Sequence, residues 1–275
     1  MQILIGPLKT FKFLFLFIVL CTISYYGYET YTEAKKYETH TREIASIGDA
    51  NGLASERIDE FTEIISLGLL KNETKERLKK LKNKQDSAKK KAEEYLSYYS
   101  ILLLILIVFS ITCTLRVAAL SLSIATLISL IYGLISPILM ITIHKEVEYL
   151  GDVILSFESK GILGSISKLY ENGEFIVALT ILLFSVIVPL LKSLTLSLTL
   201  LFYQFHAMHK LVSFFKQIGK WSMIDVFVVA TLLVYLTSND NALSHAEIHV
   251  GLYFFLIYVL LSMITAILTQ KVISR

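Results

Sequence analysis

Six apolar segments break up this 275-residue chain, and nearly all of its charge lies outside them. They run from Phe13 to about Tyr28, Tyr98 to Leu115, Val117 to Ile143, Phe175 to Tyr203, Ser222 to Thr237 and Val250 to Gln270. A bilayer core about 30 Å thick needs roughly 20 apolar residues to cross it as a helix. Hydrocarbon offers no partner for a free backbone N–H or C=O, so such segments must satisfy those groups internally. The pattern predicts an all-α, polytopic helical membrane protein of about six transmembrane helices. With 55% hydrophobic residues and a mean hydropathy of +0.64, the chain is too apolar for a soluble domain of this length. Net charge is only +3, which makes no case for nucleic acid as a partner.

The first apolar segment follows Lys9 and Lys12, as in a signal peptide. It lacks a small-x-small cleavage site and ends in Tyr25, Tyr26 and Tyr28, residues suited to the water–lipid interface, so residues 1–28 read as an uncleaved signal anchor. Residues 29–97 read as a charged, coiled-coil-like helical hairpin with its break at Gly48-Asp49-Ala50-Asn51-Gly52. Asn72, part of an Asn72-Glu73-Thr74 sequon, is placed as the cap of the second arm, which continues into a linking transmembrane helix over 98–116. A four-helix membrane domain then fills 117–275. Within it, Ile162, Leu163, Ile166, Leu169 and Tyr170 recur at helical spacing and end at Gly173. Met208, Leu211, Val212, Phe215 and Ile218 oppose His209, Lys210, Lys216 and Lys220, the pattern of a helix lying on an anionic membrane surface.

Two charge counts decide orientation. With both termini cytoplasmic, eight Lys and Arg (Lys9, Lys12, Arg116, Lys210, Lys216, Lys220, Lys271, Arg275) lie inside, and the short outer loops carry three, Lys145, Lys160 and Lys168. The hairpin then places fourteen more outside, but the positive-inside rule weakens for loops beyond about 60 residues. The short loops agree with each other, so both termini are expected in the cytoplasm and the hairpin in the periplasm.

Polar groups inside apolar segments mark the candidate site. A charge such as Lys192 at depth costs about 2.5–3.5 kcal/mol, so it is expected to face a hydrated or headgroup-lined cavity, or to pair structurally with Asp225. Ser185, Pro189, Ser193 and Ser197 repeat every four residues on the same segment, and Ser123, Thr126, Ser129 and Gly133 form a similar small-residue face on another. Such faces let helix backbones approach closely. Pro189 is expected to kink its helix or free a carbonyl near Ser185, opening the wall beside Lys192. His245 and His249, and His206 and His209, have spacings that one helical face would allow for a metal, yet no third ligand accompanies them. They read as surface histidines near the headgroups. Cys21 and Cys113 lie in apolar runs without CxxC spacing. Neither a metal nor another cofactor is expected, and no nucleophile–base constellation or phosphate loop marks an enzyme.

Trp221, the single Trp, opens Trp221-Ser222-Met223-Ile224-Asp225-Val226-Phe227, after a basic loop that follows the segment of Pro189, Leu190, Leu191 and Lys192. Together with Ser159-Lys160-Gly161-Ile162-Leu163-Gly164-Ser165, these stretches resemble the paraquat-inducible protein A family over about Val117 to Gln270. In that family a Pro-containing helix precedes a Trp-x-Met-x-acidic-x-Phe stretch, matched here by Trp221, Met223, Asp225 and Phe227. The resemblance implies lipid traffic across a bacterial envelope. It also implies a mammalian-cell-entry-domain protein as partner and membrane lipids as cargo. The polar residues Ser185, Pro189, Lys192, Ser193 and Asp225 then read as an open groove for lipid, or as an intramembrane polar pair with its neighbours. Larger members carry two such domains and Cys-rich zinc ribbons. This chain has one domain and no ribbon, so metal binding does not carry over, and a homodimer would be one way to supply a second domain. A different reading makes the chain an envelope-stress sensor or scaffold that binds partners through its hairpin. A third, a redox or quinone-linked role, rests only on the family's name and lacks cofactor ligands.

Overall fold

A computed structural model describes residues 7–50, 71–147, 151–201 and 244–273. Two long helices come first, α1 (Pro7–Ala50) and α2 (Lys71–Ser110), followed by α3 (Leu115–Ile135). Strands β1 (Leu139–Val147) and β2 (Gly151–Lys160) lead into α4 (Ile162–Glu171). Next is one long rod built of α5 (Phe175–Ile181), a π-helical segment (Leu182–Ile187) and α6 (Val188–Leu201). Strand β3 (Ser244–Ile248) and α7 (Val250–Ile273) complete the described chain. The molecule is an all-α polytopic membrane protein carrying one small sheet. Among the described residues, five helical stretches are long and apolar enough to cross a membrane, and the predicted span over Ser222–Thr237 lies outside those residues.

Exposed apolar side chains locate the lipid-facing band. On α1 it covers Phe11, Phe13, Leu14, Phe17 and Ile18 and ends among Tyr25 and Tyr28; on α2 it covers Ile101, Leu104, Ile105 and Val108 and begins at Tyr98. Tyr26 joins the two helices at that level, its ring 6.1 Å from Tyr95 and 5.5 Å from Tyr98. The indifference of tyrosine to being half in water and half in lipid explains such a belt. At the other end Lys12 Nζ donates to the Thr112 carbonyl at 2.7 Å, where the turn Ile111–Thr114 joins α2 to α3 as a tight hairpin. Arg116 donates to the Leu200 and Leu201 carbonyls at 3.1 and 3.2 Å, tying the start of α3 to α6. Lys12 and Arg116, which flank one turn, therefore mark the same end of the bundle.

Helix α3 is the hub. Its small face packs as expected, with Gly133 so close to α7 that an added Cβ would stand 3.0 Å from the Phe255 nitrogen. The helix stops at Ile135, however, and not at Ile143. Ser136-Pro137 breaks it, because the residue before a proline is pushed out of the helical region. The apolar run beyond is strand β1, the centre of an antiparallel sheet ordered β2-β1-β3 with an irregularity between Ile143 and His144. His249 N–H donates to Ile138 O and Gly251 N–H to Pro137 O, so the sheet seals the junction where α3 ends and α7 begins. Helix α4 forms where expected and ends at Gly173, whose φ of +83° favours glycine.

Helix α1 is continuous across Tyr28 and Glu29, so the anchor and the first hairpin arm are one helix. At 1.5 Å per residue, the part of α1 from Glu29 to Ala50 extends about 33 Å beyond the tyrosine belt. Both arms lie on the sheet. Tyr37, Ala88 and Met140 form one buried cluster, with Phe157 against it, and Ile44, Ala45 and Leu81 form another. Gln85 Nε2 donates to Thr41 Oγ1 at 2.7 Å between the arms. Asn72 is already inside α2, so it is not a preceding cap.

Candidate functional site

Polar side chains line a seam through the apolar bundle where α3, α6 and α7 meet. A hydroxyl contact of 2.6 Å joins Ser123 to Ser197, and one of 3.3 Å joins Thr126 to Thr265. Ser129 and Tyr99 share a hydrogen bond of 2.7 Å. Interhelical bonds of this kind average about 0.6 kcal/mol each, so they set register more than they glue. Lys192 sits in this seam at 7% exposure and donates to Ser262 Oγ at 3.5 Å. Next to it Ser193 is buried and its hydroxyl has no hydrogen-bond partner among the described residues. An unsatisfied hydroxyl buried among apolar helices is a costly feature that a polar ligand group or water would relieve.

The rod carrying Lys192 changes pitch just ahead of it. Pro189 has no N–H to give the Ser185 carbonyl, and its ring would crowd that carbonyl in a regular helix. The π segment Leu182–Ile187 relieves the clash, with Val188 N–H reaching back five residues to Leu183 O. The outer face of the rod (Leu183, Phe184, Ile187, Leu191, Leu194) is exposed and apolar, whereas Pro189, Lys192 and Ser193 are buried. Ser185 is half-buried beside the wide turn. Ser185, Pro189, Lys192 and Ser193 are thus brought onto one stretch of rod. Trp221, Met223, Asp225 and Phe227 lie outside the described residues, as do the surface helix read over 208–218 and His206 and His209.

A second polar cluster stands at the sheet end. Tyr37 Oη donates to Glu247 Oε2 at 2.9 Å, and Lys89 Nζ lies 3.3 Å from both Glu247 oxygens. Three elements, α1, α2 and β3, are tied together by that one carboxylate. The ring of His249 packs 5.2 Å from that of Tyr37. The expected surface position of His249 is wrong: it is 8% exposed and its Nδ1 accepts the Val250 N–H at 3.2 Å. Burial pushes its imidazole down to about 4, with Glu247 pulling it up and Lys89 pushing it further down. His245 lies on β3, paired with Thr142, so the pair does not share a helical face.

Ser262, Thr265 and Thr269 are polar residues spaced along one side of an otherwise apolar α7, a signal in the sequence that would have found Lys192's neighbour. Tyr37, Lys89 and Glu247 gave no such signal, since each resembles a solvated residue of a charged stretch.

The family profile described as Paraquat-inducible protein A matches residues 116–272, which begin with the Arg116 clamp and end in α7. Comparison with curated proteins and with solved structures finds no match.

Proposed function

Because the chain belongs to the paraquat-inducible protein A family, we propose that it is a non-enzymatic subunit of a lipid-trafficking system in the bacterial inner membrane. In this reading it works with a mammalian-cell-entry-domain partner and maintains envelope integrity. The observation that carries the reading is the buried Lys192 beside the unsatisfied Ser193 hydroxyl, on a rod widened by a π segment. A phospholipid phosphate entering between the rod and the seam would meet an ammonium and a hydroxyl while its chains stay against Leu183, Phe184 and Ile187. Both termini are cytoplasmic, in keeping with Lys12 and Arg116 gathering at one end, and the arms stand in the periplasm. A cysteine placed at Gly52 is then labelled by an impermeant reagent in intact spheroplasts, and protection there overturns the orientation.

Lipid mass spectrometry of the full chain, purified in mild detergent, tests the groove. The wild type retains phospholipid, and Lys192→Ala, which loses the share held in the seam, retains clearly less. Equal retention sinks the reading.

The docking of both arms on the sheet through Glu247 favours a second reading, a stress sensor or scaffold that binds partners with its hairpin. That reading requires full function from Lys192→Ala.

A further inference from the structure

Beside the Glu247 cluster a cleft of about 420 Å³ opens between α2 and the start of α7. Lys89, Glu93 and Glu247 line its outer part, and Leu96, Ser100 and Tyr253 its inner part. From Lys89 to Ser100 it spans about 16 Å of depth along α2. The inner part lies at the level of Tyr95 and Tyr98, where exposed side chains change from charged to apolar. A phospholipid crosses the same boundary between its headgroup and its chains.

The charge in the cleft is specific in sign. Two carboxylates oppose one ammonium, and His249 stays neutral near pH 7 because burial disfavours its charged form. Tyr37 and Lys89 engage Glu247, yet the side chains of Lys89 and Glu247 each remain 43% exposed. An ionised carboxylate accepts about four hydrogen bonds and an ammonium donates three, so both retain capacity for a ligand. An anionic headgroup would confront an excess of carboxylate, and a simple cation would leave Lys89 opposed. A group carrying a primary ammonium a few ångströms from a phosphate satisfies both.

We propose that this cleft binds the phosphoethanolamine zwitterion of a phospholipid, with its ammonium on Glu93 and Glu247 and its phosphate on Lys89. Ala92 and Leu96 receive the start of the acyl chains, with Tyr253 opposite. The site lies apart from the Lys192 seam and rests on membrane embedding, not on transport.

Native mass spectrometry of the full chain in mild detergent tests it, with phosphatidylethanolamine, phosphatidylglycerol and soluble phosphoethanolamine in separate arms. The expected result is a preference of about tenfold for phosphatidylethanolamine over phosphatidylglycerol, with soluble phosphoethanolamine bound far more weakly. Glu93→Gln with Glu247→Gln abolishes the preference. Glu247 also ties the arms to the sheet, so Glu93→Gln alone, which leaves the Tyr37 and Lys89 contacts in place, serves as the folded control and lowers the preference by about threefold. Equal retention of the two lipids, or a preference unchanged in Glu93→Gln, overturns the proposal. Soluble phosphoethanolamine binding as tightly as the lipid overturns its lipid origin. Binding is read without a partner protein, so a failure here leaves the Lys192 reading standing, and the reverse holds too.

Discussion

At Gly133 the missing side chain sets the distance between α3 and α7. A Cβ would meet the Phe255 backbone at 3.0 and 3.2 Å, and backbone cannot swing away as a flexible side chain can. Gly133→Val should therefore separate the two helices at a cost of about 1–3 kcal/mol, read as a lower midpoint of thermal unfolding. An unchanged midpoint would mean that the helices are not held so closely. His249 carries a different consequence. Its folded value of about 4 lies below the ordinary 6.5, so between those values the unfolded chain binds more protons than the folded one. Stability is then full above about 6.5, falls as the pH drops toward about 4 and levels off below that. The loss is on the order of 3 kcal/mol, and His249→Asn should flatten this part of the profile. Tyr37, Glu247 and Lys89 surround the imidazole, so the loosening should show first as faster hydrogen exchange at the roots of the two arms.

The rod from Phe175 to Leu201 shows at the level of an element what Pro189 does. The wide turn lies immediately before the proline, where its ring would crowd the Ser185 carbonyl of a regular helix. Pro189→Ala restores an N–H donor, so the segment should close to a regular helix and turn Lys192 relative to Ser262. The variant is expected to be at least as thermally stable as the wild type while retaining less lipid. Stability falling together with lipid retention would show that the proline only supports packing. The disturbance near Ser185 was legible in the sequence, because a proline in a long apolar run admits few outcomes. The small face of α3 and the stop at Gly173 were legible for similarly local reasons. The sheet was not. Periodicity alone does not separate a buried strand from a buried helix, and Leu139–Ile143 continued the apolar run of α3. Ser136-Pro137 and the β-branched residues after it were the available signal. The partner of β1 in β3 lies about a hundred residues further on, where five residues of mixed polarity announce nothing by themselves.

Over the whole molecule, membrane class and family were legible because both are written in runs of residues. Apolar length defines the spans, and the stretches around Pro189 and Trp221 carry the family pattern. What was not legible is how residues 29–97 relate to the rest. The run of the second arm into the membrane was expected and α2 shows it, but nothing in their charge told that α1 is equally unbroken or that both arms lie on the sheet of the family domain. A single carboxylate, Glu247, binds an arm residue from each helix, and no pattern in either stretch could have paired residues 158 and 210 positions apart. The molecule thus joins a buried polar seam in the membrane to two long helical arms beyond it. Transfer of labelled phospholipid, from vesicles holding the full chain to a purified mammalian-cell-entry-domain partner, tests this account most directly. The wild type is predicted to transfer lipid, and Lys192→Met, which should fold because an apolar side chain of similar volume replaces a buried charge, is predicted to be slower by about tenfold or more. Equal rates for the two proteins would contradict it.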